Sequence, residues 1–237
     1  MEKYLTSHPP RRQMSLAEQA YDVLEEMIIT LALPPGSILT EANLIEMTGF
    51  GRTPVREALQ RLSDVGLIDV TPRHATKVTL VDVEDQLRLL EVRRELERLI
   101  ATSAARRRSS SQAAMLAEMA GGMRKAAATD DYLLFLRVDH AFNQCAADSA
   151  DNRHLLKAIS PIHAMSRRFW YMHYRPYDLP VAALGHAEIM DAIVDRDAAR
   201  AGQASDKLLD YVEGFTRTRR DGVAAAANAG GETTRSA

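Results

Sequence analysis

GRTPVREALQRLSDVGLI, residues Gly51 to Ile68, reads as a short amphipathic helix with an unusual start. Val55, Ala58, Leu59, Leu62 and Val65 recur at helical spacing and predict a buried stripe. Arg52, Arg56 and Gln60 fall at i, i+4 and i+8 on another face. The first turn of a helix favours negative charge, because its N–H groups are unpaired and the backbone dipole is positive there. Two arginines at that end are locally unfavourable and make sense where a polyanion compensates them. The helix is expected to start near Thr53, with Pro54 suited to its first position, and to end at Gly66 in a left-handed cap.

Upstream, Ser15 with Glu18 has capping-box spacing, and Leu16, Ala20, Val23, Leu24, Met27 and Leu31 predict a helical stripe. Leu33-Pro34-Pro35-Gly36 stops that helix, and Thr40–Met47 makes a second. Downstream, Leu67–Val70 and Thr76–Thr79 look like short strands around the loop Thr71–Ala75. Three helices followed by a two-stranded ribbon give the layout of a winged helix-turn-helix. In such folds the start of the recognition helix meets base edges in the major groove, and the arginine fork suits guanine O6 and N7. Arg52 and Arg56 are therefore assigned to bases or adjacent phosphates of double-stranded DNA, Thr53 to phosphate, and Gln60 to a weaker contact further along. The alternative is a merely solvated face, which is preferred for Arg61 because Glu57 precedes it by one turn. Arg73, His74 and Lys77 place charge where a wing would reach the minor groove or a phosphate, or else decorate a surface hairpin. Phe50–Leu80 carries five Lys/Arg against three Asp/Glu, whereas Ser15–Gly49 carries six acids and no Lys or Arg.

The whole chain has 237 residues and a formal net charge of −2, so any basic surface must be local. One cysteine, Cys145, excludes an intrachain disulfide and a thiolate metal cluster, which fits a reducing cytoplasm. No window is long and apolar enough for a membrane span or a signal peptide. The expected organisation is a flexible arm (1–14), a DNA-binding domain (15–80), a helical domain (82–220) and a disordered Ala/Gly/Thr-rich tail (221–237). The fold class is mainly α: an N-terminal winged helix-turn-helix domain plus a C-terminal all-α helical bundle.

LPPGSILTEANLIEMTGFGRTPVREALQRLSDVGLI resembles the N-terminal domain of GntR-family bacterial transcription regulators, most specifically in TPVREALQRL. Gly51 stands where that family usually has Ser or Thr, Ala75 or a neighbour replaces a common wing glycine, and Ala42 and Asn43 occupy the place of a third arginine. LLEVRRELERLIATSAARR resembles the first helix of the FCD effector domain of the FadR-like subfamily. The resemblance implies a helical bundle that binds a small organic acid, often beside a metal ion, and forms a homodimer on a palindromic operator.

Long helices are expected near 82–107, 110–128, 130–148, 152–174, 181–196 and 198–220. On the first of these, Arg93 falls among Leu89, Leu96, Leu99, Ile100 and Ser103, while Arg94 points outward with Glu91 and Arg98. An inward guanidinium must be paired, either by a ligand carboxylate or by an internal Asp or Glu. Asp139 and Asn143 sit one turn apart among Phe135, Leu136, Phe142 and Ala146, and His186 shares a face with Ala182, Ile189 and Ile193. Arg93, Asp139, Asn143 and His186 are the candidate ligand-binding set; a satisfied polar core is the alternative. In Ser160–Asp178, Arg167 or His163 could reach the same cavity, while Trp170, Tyr171 and Tyr174 are expected to pack. Metal-binding members of the resembled family carry an aspartate and three histidines. Here Asp139 and His186 match, but Asn143 and Leu208 replace the other two, so no cofactor is required and a divalent metal such as zinc would be weakly held. Two other functions remain at this stage: a metal-dependent enzyme, and a winged domain used to bind protein.

Overall fold

In the computed structural model, which describes residues 14–70 and 76–232, with side chains to residue 220, Ser15 closes the capping box that its sequence predicts. Its hydroxyl accepts from the Glu18 N–H at 3.2 Å and the Glu18 carboxylate accepts from the Ser15 N–H at 2.7 Å. Helix α1 (Leu16–Ile29) follows. Its buried stripe is Ala20, Leu24 and Ile28 with Ile29, whereas Leu16 and Val23 are exposed. The stripe thus differs from the predicted one, and Leu31 falls outside it because the helix stops at Thr30, leaving Leu31 at a positive φ of 59°.

The chain divides into two compact units, Met1–Leu80 and Val81–Ala237. The first continues with β1 (Ile38–Leu39), α2 (Glu41–Thr48), α3 (Arg52–Asp64), β2 (Ile68–Val70) and β3 (Thr76–Val78). The sheet is antiparallel in the order β1-β3-β2, with Ile38 opposite Lys77 and Ile68 opposite Val78. The predicted ribbon thus gains a third strand. β1 has two residues, too few for alternation to be visible, and the Gly36 N–H anchors its approach by donating to the Val78 carbonyl at 2.8 Å. Leu24, Ile28, Leu44, Leu62, Leu67 and Ile68 fill the core between the three helices and the sheet.

Helix α3 starts at Arg52, one residue before the expected place, so Pro54 is its third residue, still within the turn whose N–H groups lack helical partners. It ends as Gly66 predicts. Gly66 has φ 75°, its N–H donates to Ser63 O, and the Leu67 N–H donates to Leu62 O, each at 3.0 Å. This closure turns the chain into β2 and buries Leu67 beside Leu62. Replacing Gly66 by alanine places a Cβ in a left-handed conformation, and the expected loss is about 1–2 kcal/mol in chemical denaturation. A Gly66→Ala variant as stable as wild type would show that this turn relaxes freely.

The second unit comprises α4 (Val83–Arg107), α5 (Ser110–Thr129), α6 (Tyr132–Ser149), α7 (Arg153–His173), α8 (Asp178–Val194) and α9 (Ala198–Glu232). Helix α8 begins three residues before its expected start. Helix α9 runs to Glu232, so the segment 221–232, expected to be disordered, is helical; its Ala-rich composition carries the helix onward. Leu116, Ala120, Met123 and Ala126 of α5 pack on an alanine-rich face of α8, and α4 lies along α9. Helices α4 and α8 cap one another. Arg108 donates to the Ile193 and Val194 carbonyls, while Arg196 donates to those of Arg106 and Arg108. Arg94 is a correction to the sequence reading. It faces α9, not solvent, with Nη1 2.8 Å from Asp210 Oδ1 and Nη2 3.2 Å from Glu213 Oε2.

Candidate DNA-reading surface and helical cavity

Gly51 precedes α3 without a side-chain cap, which leaves the first-turn amides of that helix open. Arg52 and Arg56 leave this end with side chains 72% and 61% exposed, and Thr53 is exposed beside them. The two guanidiniums share a partner that sequence reading missed. Arg56 Nε donates to Glu41 Oε1 at 2.6 Å, and Arg52 Nε lies 3.9 Å from Glu41 Oε2. The hydrogen bond to Glu41 and then its charge raise the Arg56 pKa. Glu41 opens α2, fifteen residues before Arg56, and nothing in local spacing announces the pairing. Gln60 turns down the helix and donates to Asp64 Oδ1 at 3.0 Å. Arg61 stacks over the Tyr21 ring with 4.1 Å to its centroid, a packing role in place of the expected pair with Glu57. Lys77 is exposed on the central strand β3, opposite Ile38 and Asp69. Arg73 and His74 lie outside the described residues.

In the helical unit, Arg93 of α4, Asp139 of α6 and His186 of α8 line one cleft. Phe135, Phe169, Trp170, Val212 and Phe215 supply apolar wall, and Gln86, Ser166 and Arg167 supply further polar groups. Trp170 therefore forms wall as well as core. Tyr174 stacks on Tyr132 at 3.8 Å between ring centroids, and Tyr171 packs against the same ring.

His186 is held between two acceptors. Its Nδ1 donates to the Ala182 carbonyl at 2.8 Å, and Nε2 faces Asp139 Oδ1 at 3.1 Å. The edges of Phe135 and Phe142 close around the ring. Burial would raise the Asp139 pKa. The hydrogen bond and charge of His186, then the charges of Arg167 and Arg93, outweigh that and hold the carboxyl well below the ordinary carboxylate range.

Arg93 meets an internal acid, the alternative that its spacing left open. Its Nε donates to Glu97 Oε1 at 3.1 Å, and His163 Nε2 lies 2.8 Å from the same oxygen. Burial opposes the Glu97 charge, but His163 and Arg93 together lower its pKa to about 2. His163 thus serves Glu97, while Arg167 is the residue of its segment that lines the cleft. Glu97 was legible in principle, one turn beyond Arg93.

Asn143 is a correction. It is buried but lies outside the cleft lining, one turn beyond Asp139. Leu208 is also buried and outside the lining; a Cβ on Gly185 would meet its Cδ1 at 3.0 Å, so α8 and α9 pack closely there. The next turns of α9 present Val212 and Phe215 to the cleft instead. Among the described residues, no group of three or more His, Cys, Asp or Glu side chains is placed to hold a metal ion. The donors fit a resident metal poorly: Asp139 and His186 bind each other, and the remaining two positions carry an amide and an alkyl chain. Among the described residues no helix is long and apolar enough to cross a membrane.

Comparison with known proteins agrees with this architecture. Residues 88–211 match the FCD domain family, and residues 16–78 match the bacterial regulatory proteins of the gntR family. An uncharacterized HTH-type transcriptional regulator of Streptomyces ambofaciens is 44% identical over 62 residues, 26% of either chain. The HTH-type transcriptional repressor RspR of Escherichia coli K12 is 26% identical over 204 residues, covering 86% of this chain and 90% of its own. The solved structure of E. coli McbR/YncC superposes with a TM-score of 0.75 at 22% identity, covering 87% of this chain and 99% of that one, which is a likeness of fold. The family and these relatives are regulators, not enzymes. With more than half its length matched by one family and a second family over its first unit, the chain belongs to the GntR-type transcriptional regulators that carry an FCD domain.

Proposed function

We propose that the protein is a cytoplasmic homodimer that binds a palindromic operator and releases or retains it in response to a small organic acid. Arg52 and Arg56 of each subunit read base edges or adjacent phosphates in the major groove, Thr53 contacts phosphate, and Gln60 contributes once it leaves Asp64. Lys77 and the wing residues Arg73 and His74 meet the backbone or the minor groove. In the helical unit, Arg93, Asp139 and His186 orient the ligand, and Arg167 joins them. Asn143 acts one layer behind, and no metal is required.

The observation that carries the ligand reading is the cleft itself. Two arginines and a histidine share an aromatic-walled space with a single acid, Asp139, that the histidine already engages. Such a space favours an anion with an apolar body. Control of DNA binding then requires that the ligand prefer one arrangement of the two units over another.

The test uses a duplex enriched by the wild-type protein from a random-sequence pool, with short mono- and dicarboxylates added. At least one carboxylate is expected to change operator affinity by about 5- to 150-fold, the usual range of allosteric coupling. Arg93→Met is expected to abolish that response, and its melting temperature is recorded alongside because Arg93 also holds Glu97. Failure of every carboxylate to alter either melting temperature or operator affinity would remove the organic acid from this reading.

A further inference from the structure

We propose that Glu41 is a positioning residue for DNA recognition: it holds the inner nitrogen of Arg56, with Arg52 beside it, so that the outer edge of the arginine fork meets a guanine. The inference rests on the reading that Arg56 contacts bases.

The geometry fixes both halves of the arrangement. Thr40 caps α2 by accepting from the Asn43 N–H at 3.2 Å, and Leu44 is buried against the core, so the backbone of Glu41 is held. Arg56 stands on α3 between Val55 and the buried pair Ala58 and Leu59. The 2.6 Å bond joins Glu41 Oε1 to Arg56 Nε. An arginine can offer an acceptor pair either its side edge, which uses Nε, or its end, which uses Nη1 and Nη2. With Nε occupied, the end remains, and that end matches the N7 and O6 acceptors of guanine. Fixing the side chain before binding also reduces the rotamer entropy lost on contact.

Charge supplies a second argument. A carboxylate beside a surface that approaches phosphates weakens electrostatic attraction to any DNA, whatever its sequence. An exposed ion pair adds little to folding stability in return. The cost is sequence-independent and the benefit, a fixed fork, is sequence-dependent. Glu41 therefore exchanges general affinity for discrimination. A first-turn acid also suits the dipole of α2, but that role would appear in melting temperature and not in base preference.

The experiment compares full-length wild type, Glu41→Ala, Glu41→Gln and Arg56→Ala on the enriched duplex, on the same duplex with its guanine pairs replaced singly, and on random duplex. Melting temperatures are recorded alongside. Glu41→Ala is expected to bind random duplex more tightly and to lose about tenfold of its preference for the enriched duplex, concentrated at one guanine pair. Glu41→Gln keeps a carbonyl that accepts from Nε, so it should recover most of that preference while still binding random duplex more tightly. Equal loss in both variants would assign the effect to charge alone and overturn the positioning role. Wild-type preference in Glu41→Ala, with loss in Arg56→Ala, would overturn it as well. Unchanged preference in Arg56→Ala would instead remove the base-reading assignment, and the proposal with it.

Discussion

Replacing Arg52 and Arg56 together by alanine is expected to lower operator affinity by on the order of 10²–10⁴-fold, because each well-formed arginine–guanine pair contributes about 5- to 150-fold of discrimination. Fold stability should barely change, since both side chains stand mainly in solvent. The two single variants should not combine additively: Glu41 bridges both arginines, so removing one changes the environment of the other. Fluorescence anisotropy on the enriched and random duplexes at several salt concentrations separates the contributions. Loss confined to the enriched duplex marks base reading. Equal loss on both, with a shallower salt dependence, marks phosphate contact. A double variant that binds both duplexes like wild type would disprove any role of this helix start in DNA binding.

The second large effect lies inside the helical unit. Glu97 joins Arg93 of its own helix to His163 of α7, and its removal leaves the buried Arg93 guanidinium and the His163 ring without their shared acceptor. Breaking a buried pair in this way costs about 3–5 kcal/mol, so Glu97→Ala should be strongly destabilised in urea. The pH dependence has a definite sign. The Glu97 carboxyl is lowered from 4.5 to about 2 in the folded protein. Its contribution is therefore complete above pH 4.5 and declines as pH falls from 4.5 through about 2. Glu97→Gln should show a shallower loss of stability across that window than wild type. Identical acid profiles would mean that Glu97 does not hold its charge in the folded state.

The same cluster joins the cleft to the packing of α4 on α7. Arg93 lines the cleft and at the same time holds Glu97, which in turn holds α7 through His163. In the proposed ligand reading, a carboxylate bound to Arg93 would compete with Glu97 for one guanidinium, so the stability of the α4–α7 contact and occupancy of the cleft would be coupled. The Asp139–His186 pair likewise joins α6 to α8.

The amino-acid sequence by itself determined the three helices and the β2–β3 ribbon of the first unit, but not the two-residue strand β1. The Ser15–Glu18 capping box and the Gly66 turn act within a few residues, where spacing and backbone conformation suffice, whereas α1 already stops at Thr30, ahead of the expected break at Leu33-Pro34-Pro35-Gly36. It also determined that Arg93, Asp139 and His186 face inward, because each lies on the apolar stripe that helical periodicity identifies. Partner choice was decided by tertiary structure. Glu41 meets Arg56 across fifteen residues, and Glu97 meets His163 across sixty-six. Arg94 turned to α9, Asn143 fell outside the cleft, and Val212 with Phe215 took the wall near Leu208. Helical periodicity fixes the direction of a side chain to within about a third of a turn. The group it then meets depends on how closely neighbouring helices approach, and at Gly185 that is set by a residue with no side chain to read.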